Sequence, residues 1–494
     1  MKKDIIGLFK AARRVSTPFL AIETPDQRDL AGRLVQAVGN GDNPVPKMTF
    51  DLARGVMPVN ETGKQFLDQY GDEKFAGNPA GALVEIGPRL PRGGVIIMFN
   101  AQLFLDDGMV IQAVCNLRDE YKSSRRTLVF LGPSFKLKSE LSDVVMLDEP
   151  RPDDEQLGEI LTKLYKSAFE REPEPEIAKD GVSAVRGLAA FEADQALAMS
   201  LTKDGLDVED AGERTKAVVN KTEGLKYIRG GPTFADMGGV HRWKELMTRI
   251  HNGPEDFDLI LFMDEIEKSM AGATSDHTGD SGVSKRIHGT LLTWMEDNGH
   301  DGIIAVGLPG TGKSYAGKAI GGEFGKPTIV LDIGGLMGSL VGETERHLRE
   351  ALKVIDSIAG HGKVFAFATC NGEAALAPEF KRRFHSGRWY FDLPDEEEKA
   401  VIWEIHKKKI GIEDDVHPVD TNWTGAEIRN CVVKAHKLQC SLVEAGEFVI
   451  PIAKSDPKSV ETIRRAADGN WFSASYPGPY KKDKAEKLER DIQF

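Results

Sequence analysis

The sequence predicts an α/β protein built as two units, each a parallel sheet covered by helices, and three observations predict it. Short apolar runs alternate with helix-compatible stretches in both halves of the chain, the pattern of parallel strands joined by helical crossovers. A Gly-rich loop, GLPGTGKS at 307–314, connects a strand-like run to a helix-like one. A further run, DLILFMDEIEK at 258–268, is apolar from Leu259 to Met263 and ends in Asp264-Glu265, as does a strand buried on both faces whose C-terminal end opens onto a ligand.

In the first unit the apolar segments PFLAIET (18–24), GVIIMFN (94–100), TLVFLGP (127–133) and DVVMLDE (143–149) read as strands, separated by stretches such as DQRDLAGRLVQAV that read as helices. No G-x4-G-K-[ST] pattern occurs there. GVIIMFN ends in Asn100-Ala101 rather than an acidic pair, and Asp106 and Asp107 read as a solvated turn. The acidic, Pro-interrupted stretch from Pro150 leads into helices, with EREPEPE as an exposed linker.

The second unit carries the chemistry. Ile303 to Val306 run into Gly307-Leu308-Pro309-Gly310-Thr311-Gly312-Lys313-Ser314, and the helix opens with Tyr315. Glycines let the backbone curl until its N–H groups converge on phosphates, and the helix start adds the positive end of its dipole. Lys313 would neutralise charge between the β- and γ-phosphates, and the Ser314 hydroxyl would ligate Mg²⁺. Asp264 would hold that ion through water, and Glu265 would polarise an attacking water. ATP and Mg²⁺ are therefore the expected cofactors. After the sheet, DLPDEEEKAVIWEIHKKKIGI begins a helical lid with Asp395 as its N-cap.

These two motifs, with six further blocks between about 230 and 440, resemble the AAA ATPases. FADMGGVHRWKEL (234–246) is similar to the segment that flanks the adenine, which assigns Asp236 and Gly238 to the nucleotide. GGLMGSLVGETERHLREAL (334–352) resembles the second strand's exit and the pore loop, and GDSGVSKRIHGTLLTWMED (279–297) the segment after the acidic strand. VFAFATCN (364–371) resembles the sensor strand and makes Asn371 the residue that reads the γ-phosphate. LAPEFKRRF (376–384) resembles the segment that supplies arginine fingers to a neighbouring subunit, with Arg383 favoured, Arg382 second and Arg388 an outsider. WTGAEIRNCVVKA (423–435) resembles the lid's sensor helix, with Ala426 against the nucleotide and Arg429 at the surface. The resemblance implies a P-loop NTPase sheet with a helical lid, working as a homo-oligomeric ring, six subunits being the default. The first unit resembles the inactive AAA-like module that precedes the active one in some bacterial and plastid members.

The order departs from the family. The acidic strand and its helix precede the phosphate loop, whereas the family places them after the second strand. Helical crossovers do not fix the sequence order of parallel strands, and the apparent junctions HNGPED (251–256), EDNGHDG (296–302) and IAGHGK (358–363) are polar and Gly-containing. A permuted domain with an intact site, of bacterial or phage lineage, is the expectation. Where protein-threading members have an aromatic pore residue, Leu340 stands here; it is either a weaker aliphatic tooth or a buried leucine.

Composition adds boundaries. Sixty-four basic against 77 acidic residues give a net charge of −13, so no global basic surface draws nucleic acid, although a local groove is left open. No run is long enough to cross a bilayer and the N-terminus lacks a signal peptide's core, which points to the cytoplasm. The four cysteines lack metal-site spacing, and His277, His288, His300 and His361 form no zinc-protease motif.

The expected division is 1–150, a degenerate AAA-like domain; 151–229, helical lid and linker; 230–395, the ATPase core; 396–450, the second lid; and 451–494, a tail with one helix and no assigned role. The expected function is ATP hydrolysis coupled to remodelling of an unknown protein or complex, the alternative being a nucleotide-gated scaffold or DNA-associated motor.

Overall fold

The structure is a computed structural model that describes residues 4–39, 44–70, 75–254, 256–270, 281–336, 343–360, 362–372 and 382–482. Leu340, His277, His361 and residues 376–381 of the arginine segment lie outside the described residues. The chain divides into two compact units, residues 1–172 with 189–198 and residues 173–188 with 199–494. The stretch 151–229 therefore contributes to both.

The first unit contains β1 (Phe19–Glu23), β2 (Lys47–Asp51), β3 (Gly55–Pro58), β4 (Val95–Met98), β5 (Thr127–Gly132) and β6 (Val145–Asp148). They form one sheet in the order β3-β2-β4-β5-β1-β6, parallel except for the β2–β3 hairpin. Alternate residues enter two cores: Phe19, Ala21, Ile96 and Met98 on one face, Leu20, Ile22, Val95 and Ile97 on the other. Burial on both faces explains why these strands read as unbroken apolar runs.

The second unit opens with the helix Pro175–Val185; its strands are a small hairpin, β7 (Leu201–Thr202) and β8 (Gly205–Leu206), then β9 (Leu225–Ile228), β10 (Leu259–Met263), β11 (Asp301–Gly307), β12 (Thr328–Leu331), β13 (Val364–Cys370), β14 (Arg388–Phe391) and β15 (Phe472–Ser473). The large sheet runs β15-β14-β11-β13-β10-β12-β9, with only β9 antiparallel. Leu259, Leu261 and Met263 face one core, Ile260 and Phe262 the other.

The two sheets explain each other. In the first unit the five parallel strands, numbered along the chain, lie in the order second, third, fourth, first, fifth. The five from β10 to β14 adopt that arrangement only if β10 is counted third, between β12 and β13. The acidic strand thus occupies its spatial place while preceding its neighbours in sequence, which is the permutation seen directly.

The lid follows β14. Asp395 caps the helix Glu396–Ile410 by accepting from the Glu398 amide at 2.9 Å, and Ile402, Trp403, Trp423, Ile428 and Val432 form a core of its own. The tail beyond Val449 returns to the sheet: after the helix Pro457–Ala467, β15 pairs in parallel with β14. No helix among the described residues is long and apolar enough to cross a membrane.

Candidate active site

The phosphate loop joins the end of β11 to the helix Lys313–Phe324. Gly310 at φ +87° and Gly312 at φ +91° adopt a left-handed backbone that side chains strain to reach. The Lys313 ammonium curls back onto its own loop, donating to the Gly307 and Leu308 carbonyls at 2.7 Å each. It is 5 % exposed, and burial pulls its pKa down to about 8 against the opposing attraction of Glu267 and Asp264.

β10 brings Asp264 to the same point. One carboxylate oxygen of Asp264 accepts the Ser314 hydroxyl at 2.6 Å and the Thr369 hydroxyl at 2.6 Å. The Thr369 oxygen in turn accepts the Glu265 amide at 2.8 Å. Glu265 sits at φ +49°, an uncommon conformation for a side-chain-bearing residue and one that clusters at functional sites. Its Oε1 accepts from Asn371 Nδ2 at 3.2 Å, and its other oxygen pairs with Lys268. That lysine is the first cause holding the Glu265 carboxyl below its usual range. Asn371 is held in addition by Glu267 Oε1, through its side chain at 2.8 Å and its amide at 3.2 Å.

The lid closes over the loop. The Ala426 amide donates to the Gly310 carbonyl at 3.1 Å, and a Cβ added at Gly310 would stand 2.8 Å from Thr424 Oγ1 and 3.2 Å from Ala426 Cβ. The segment Asp236–Val240 lies against the lid helix, since a Cβ at Gly238 would meet Ile402 Cγ1 at 2.4 Å. Asp236 pairs with Lys409 of that helix at 2.8 Å, and Lys409 reaches the Tyr315 hydroxyl at 3.4 Å. The Lys409 hydrogen bond is the first cause bringing the Asp236 pKa down to about 2. Pro309 and Thr311 complete the loop, Thr311 donating its hydroxyl to the Leu308 carbonyl at 2.8 Å.

The arginines stand apart from this group. Arg382 is exposed, Arg383 pairs with Glu296 of its own chain, and Arg388 reaches the Asn470 carbonyl at 3.4 Å. Arg429 is also exposed.

Several site residues escaped the sequence reading. Thr369 was visible only as one hydroxyl in the otherwise apolar strand FAFATC. Glu267 and Lys268 follow the acidic pair and His406 lies in the lid helix, and no motif singles out any of the three. Burial, then the charges of Lys409 and Arg429, lower the His406 pKa to about 4.

A separate cavity of about 370 Å³ lies at the opposite end of the strands, among the junctions that precede β10, β11, β13 and β14. It is lined by residues such as Arg249, Phe257, Asp301 and Lys363, and the Asp301 carboxylate already accepts the Ser386 amide at 3.0 Å and its hydroxyl at 2.6 Å. None of the candidate nucleotide-, metal- or water-contacting residues borders it.

Comparison with known proteins addresses both units. Residues 3–149 match the family described as the SpoVK-like AAA ATPase N-terminal domain, and residues 303–370 match the AAA family, ATPases associated with various cellular activities. The chain belongs to the AAA ATPase family. The second match opens at β11 and closes at the end of β13, so the acidic strand of this AAA domain lies upstream of it. The chain is similar to the uncharacterized AAA domain-containing protein ycf46 of Guillardia theta, 22 % identical over 442 residues, covering 77 % of this chain and 79 % of that one. Its likeness to the ycf46 protein of Gracilaria tenuistipitata var. liui is also 22 %, over 466 residues, with 81 % and 88 % covered. A shorter likeness, 25 % over 240 residues covering 37 % and 39 %, is to the ATP-dependent zinc metalloprotease FtsH of Hahella chejuensis. Membership carries nucleotide binding and ATP-driven activity as the family's property.

Proposed function

We propose that this chain is a Mg²⁺-dependent ATP hydrolase that works as a homo-oligomer, in the cytoplasm, to remodel a protein or protein complex. The observation that carries the reading is the convergence of Ser314, Asp264, Glu265 and Asn371, from three separate segments, at the mouth of the phosphate loop. A hydroxyl and a carboxylate already 2.6 Å apart form a donor set that suits a hard divalent cation, and the positive φ of Gly310 and Gly312 gives the loop the backbone curl that a phosphate cradle needs.

In this reading Lys313 releases its two loop carbonyls to pair with the phosphates. Ser314 and Asp264 would hold the metal ion, which when bound would neutralise phosphate charge. Glu265 orients a water in line with the γ-phosphorus, and Asn371 fixes the carboxylate that does so. Water's oxygen bonds to phosphorus as the bond to the ADP oxygen breaks, ADP leaves with that electron pair, and both protons of the water depart on the phosphate. Thr369 keeps Asp264 and the Glu265 backbone in register. Asp236, Gly238, Tyr315 and Ala426 enclose the nucleotide on the lid side. An arginine of a neighbouring subunit, Arg383 or Arg382, stabilises the developing charge, and for Arg383 this requires giving up its pairing with Glu296. The first unit serves as a platform without catalysis: β1 passes into its helix through only Thr24, Pro25 and Asp26, and Glu149 pairs with Arg33 and accepts from Thr24 at that strand end.

Steady-state ATPase activity across protein concentration tests this. Specific activity should rise with concentration, Glu265→Gln should retain nucleotide without turnover, and Lys313→Ala should lose both. Unchanged turnover in Glu265→Gln would refute the assignment of the acidic strand.

A further inference from the structure

Asn371 is held more firmly by Glu267 than by Glu265. It stands one residue beyond β13, and its Nδ2 donates to two acceptors, Glu267 Oε1 at 2.8 Å and Glu265 Oε1 at 3.2 Å. Its backbone amide donates to the same Glu267 oxygen at 3.2 Å. A side-chain amide nitrogen carries two hydrogens, so both are committed to carboxylates. Only one orientation of the amide suits this arrangement, because its oxygen would be repelled by either acceptor. The network therefore turns the nitrogen towards the two glutamates and leaves the oxygen as the group available to a water.

Glu267 is fixed in its turn. It lies in the helix Ile266–Met270, which starts where Glu265 turns at φ +49°, and the Glu265 carbonyl accepts the Lys268 amide at 2.9 Å. Ile266 seats this turn in the core to which Met263 of β10 and Ala368 and Cys370 of β13 belong. The second oxygen of Glu267, Oε2, is buried with no hydrogen-bond partner among the described residues. Burial of an unpaired carboxylate oxygen is costly, and a group kept at such a cost calls for a functional explanation. Stability alone would favour an apolar side chain there.

We propose that Glu267 is a positioning residue of the ATP site: by holding both the side chain and the backbone of Asn371, it fixes the asparagine's nitrogen on Glu265 and presents its oxygen to the attacking water. The proposal rests on the reading of this site as the ATP site. Asn371 then acts on the water through an oxygen that cannot donate to the γ-phosphate, and the residue that the family resemblance assigns to that phosphate is turned the other way.

The test uses the full-length chain, with steady-state ATPase kinetics and binding of mant-ADP and of the non-hydrolysable analogue AMP-PNP. Glu267→Ala should lower kcat about ten- to a hundredfold, the scale of hydrogen bonds to a charged group. Neither nucleotide should bind more weakly, and the ratio of their affinities should stay within about twofold. Glu267→Gln, which gives up the charge and keeps an acceptor for Asn371, should recover most of the loss. Glu267→Asp, which withdraws the acceptor by one methylene, should not. On an Asn371→Ala background, Glu267→Ala should change kcat by less than about twofold, because the glutamate acts through the asparagine. Should Glu267→Ala fail to fold, the Gln and Asp variants carry the test. Native kcat in Glu267→Ala, an equal loss in Glu267→Gln, weaker binding of both nucleotides, or a loss that adds fully to that of Asn371→Ala would overturn the proposal. A fall in AMP-PNP affinity alone would overturn it too, by returning Asn371 to the γ-phosphate. If the native chain binds neither nucleotide, the ATP reading itself falls, and this proposal with it.

Discussion

Thr369 and Asp264 meet across neighbouring strands: the threonine hydroxyl donates to the carboxylate at 2.6 Å while its oxygen accepts the Glu265 amide at 2.8 Å. One fully buried hydroxyl therefore orients both acidic residues. Thr369→Val keeps the shape and deletes the hydrogen bonds, leaving a buried amide without its acceptor. We expect a loss of about 1–3 kcal/mol in stability, read by urea denaturation. The fall in kcat should be at least tenfold, and Thr369→Ser should recover most of both.

The loop lysine predicts a proton balance. With its pKa lowered from 10.5 to about 8 in the folded chain, Lys313 is depressed relative to the unfolded state. Between those pH values the unfolded chain holds the proton that the folded one has released, so this group makes stability rise with pH across that window. Phosphates favour the charged ammonium. Nucleotide binding at pH 8.5–9 should thus take up protons, measured as a dependence of the calorimetric enthalpy on buffer ionisation, and the uptake should shrink towards zero at pH 7, where the free lysine is already mostly charged.

Gly310 is where loop and lid share space. Gly310→Ala would place a methyl group 2.8 Å from Thr424 Oγ1 at φ +87°, combining a clash with a backbone penalty of roughly 1–2 kcal/mol. Nucleotide affinity should fall about tenfold or more by equilibrium titration, while Gly325→Ala, with open space around its Cβ, should leave affinity near native.

His406 should stay neutral throughout the physiological range, since its pKa lies near 4. Because the folded value is depressed below the usual 6.5, the residue costs stability as the pH falls from 6.5 towards 4 and nothing above that window. An NMR titration of the imidazole should show no inflection between pH 5.5 and 8. Lys409→Ala, which removes one of the two neighbouring cations, should move the inflection upward.

How much was legible follows from the range of each signal. Gly307 to Ser314 and the run from Leu259 to Glu265 declare themselves locally, because a phosphate cradle needs glycines in series and a doubly buried strand needs consecutive apolar residues. Thr369 declares nothing, since its partners lie 105 and 104 positions away in sequence. β15 is two residues long and carries no apolar run, so its pairing with β14 could not be read. Glu398 was expected only as an acidic residue suited to a helix start; the capping is there, but the second oxygen's grip on Val240, 158 positions distant, depends on the tertiary fold. The sequence order of the motifs was plain, whereas the position of β10 between β12 and β13 became visible only in the sheet.

That position has a consequence for the newborn chain. In the first unit β4 leaves the ribosome with its neighbour β2 already made, whereas β10 emerges before either of its neighbours, β12 and β13, has been synthesised. Five consecutive apolar residues, Leu259 to Met263, must wait until translation passes Thr328 for one flank and Val364 for the other. An unpaired hydrophobic strand held open for that interval invites aggregation; the first unit's order already leaves one such strand, β1, waiting for β5 and β6, and the rearranged order of the second leaves two, β10 and β11.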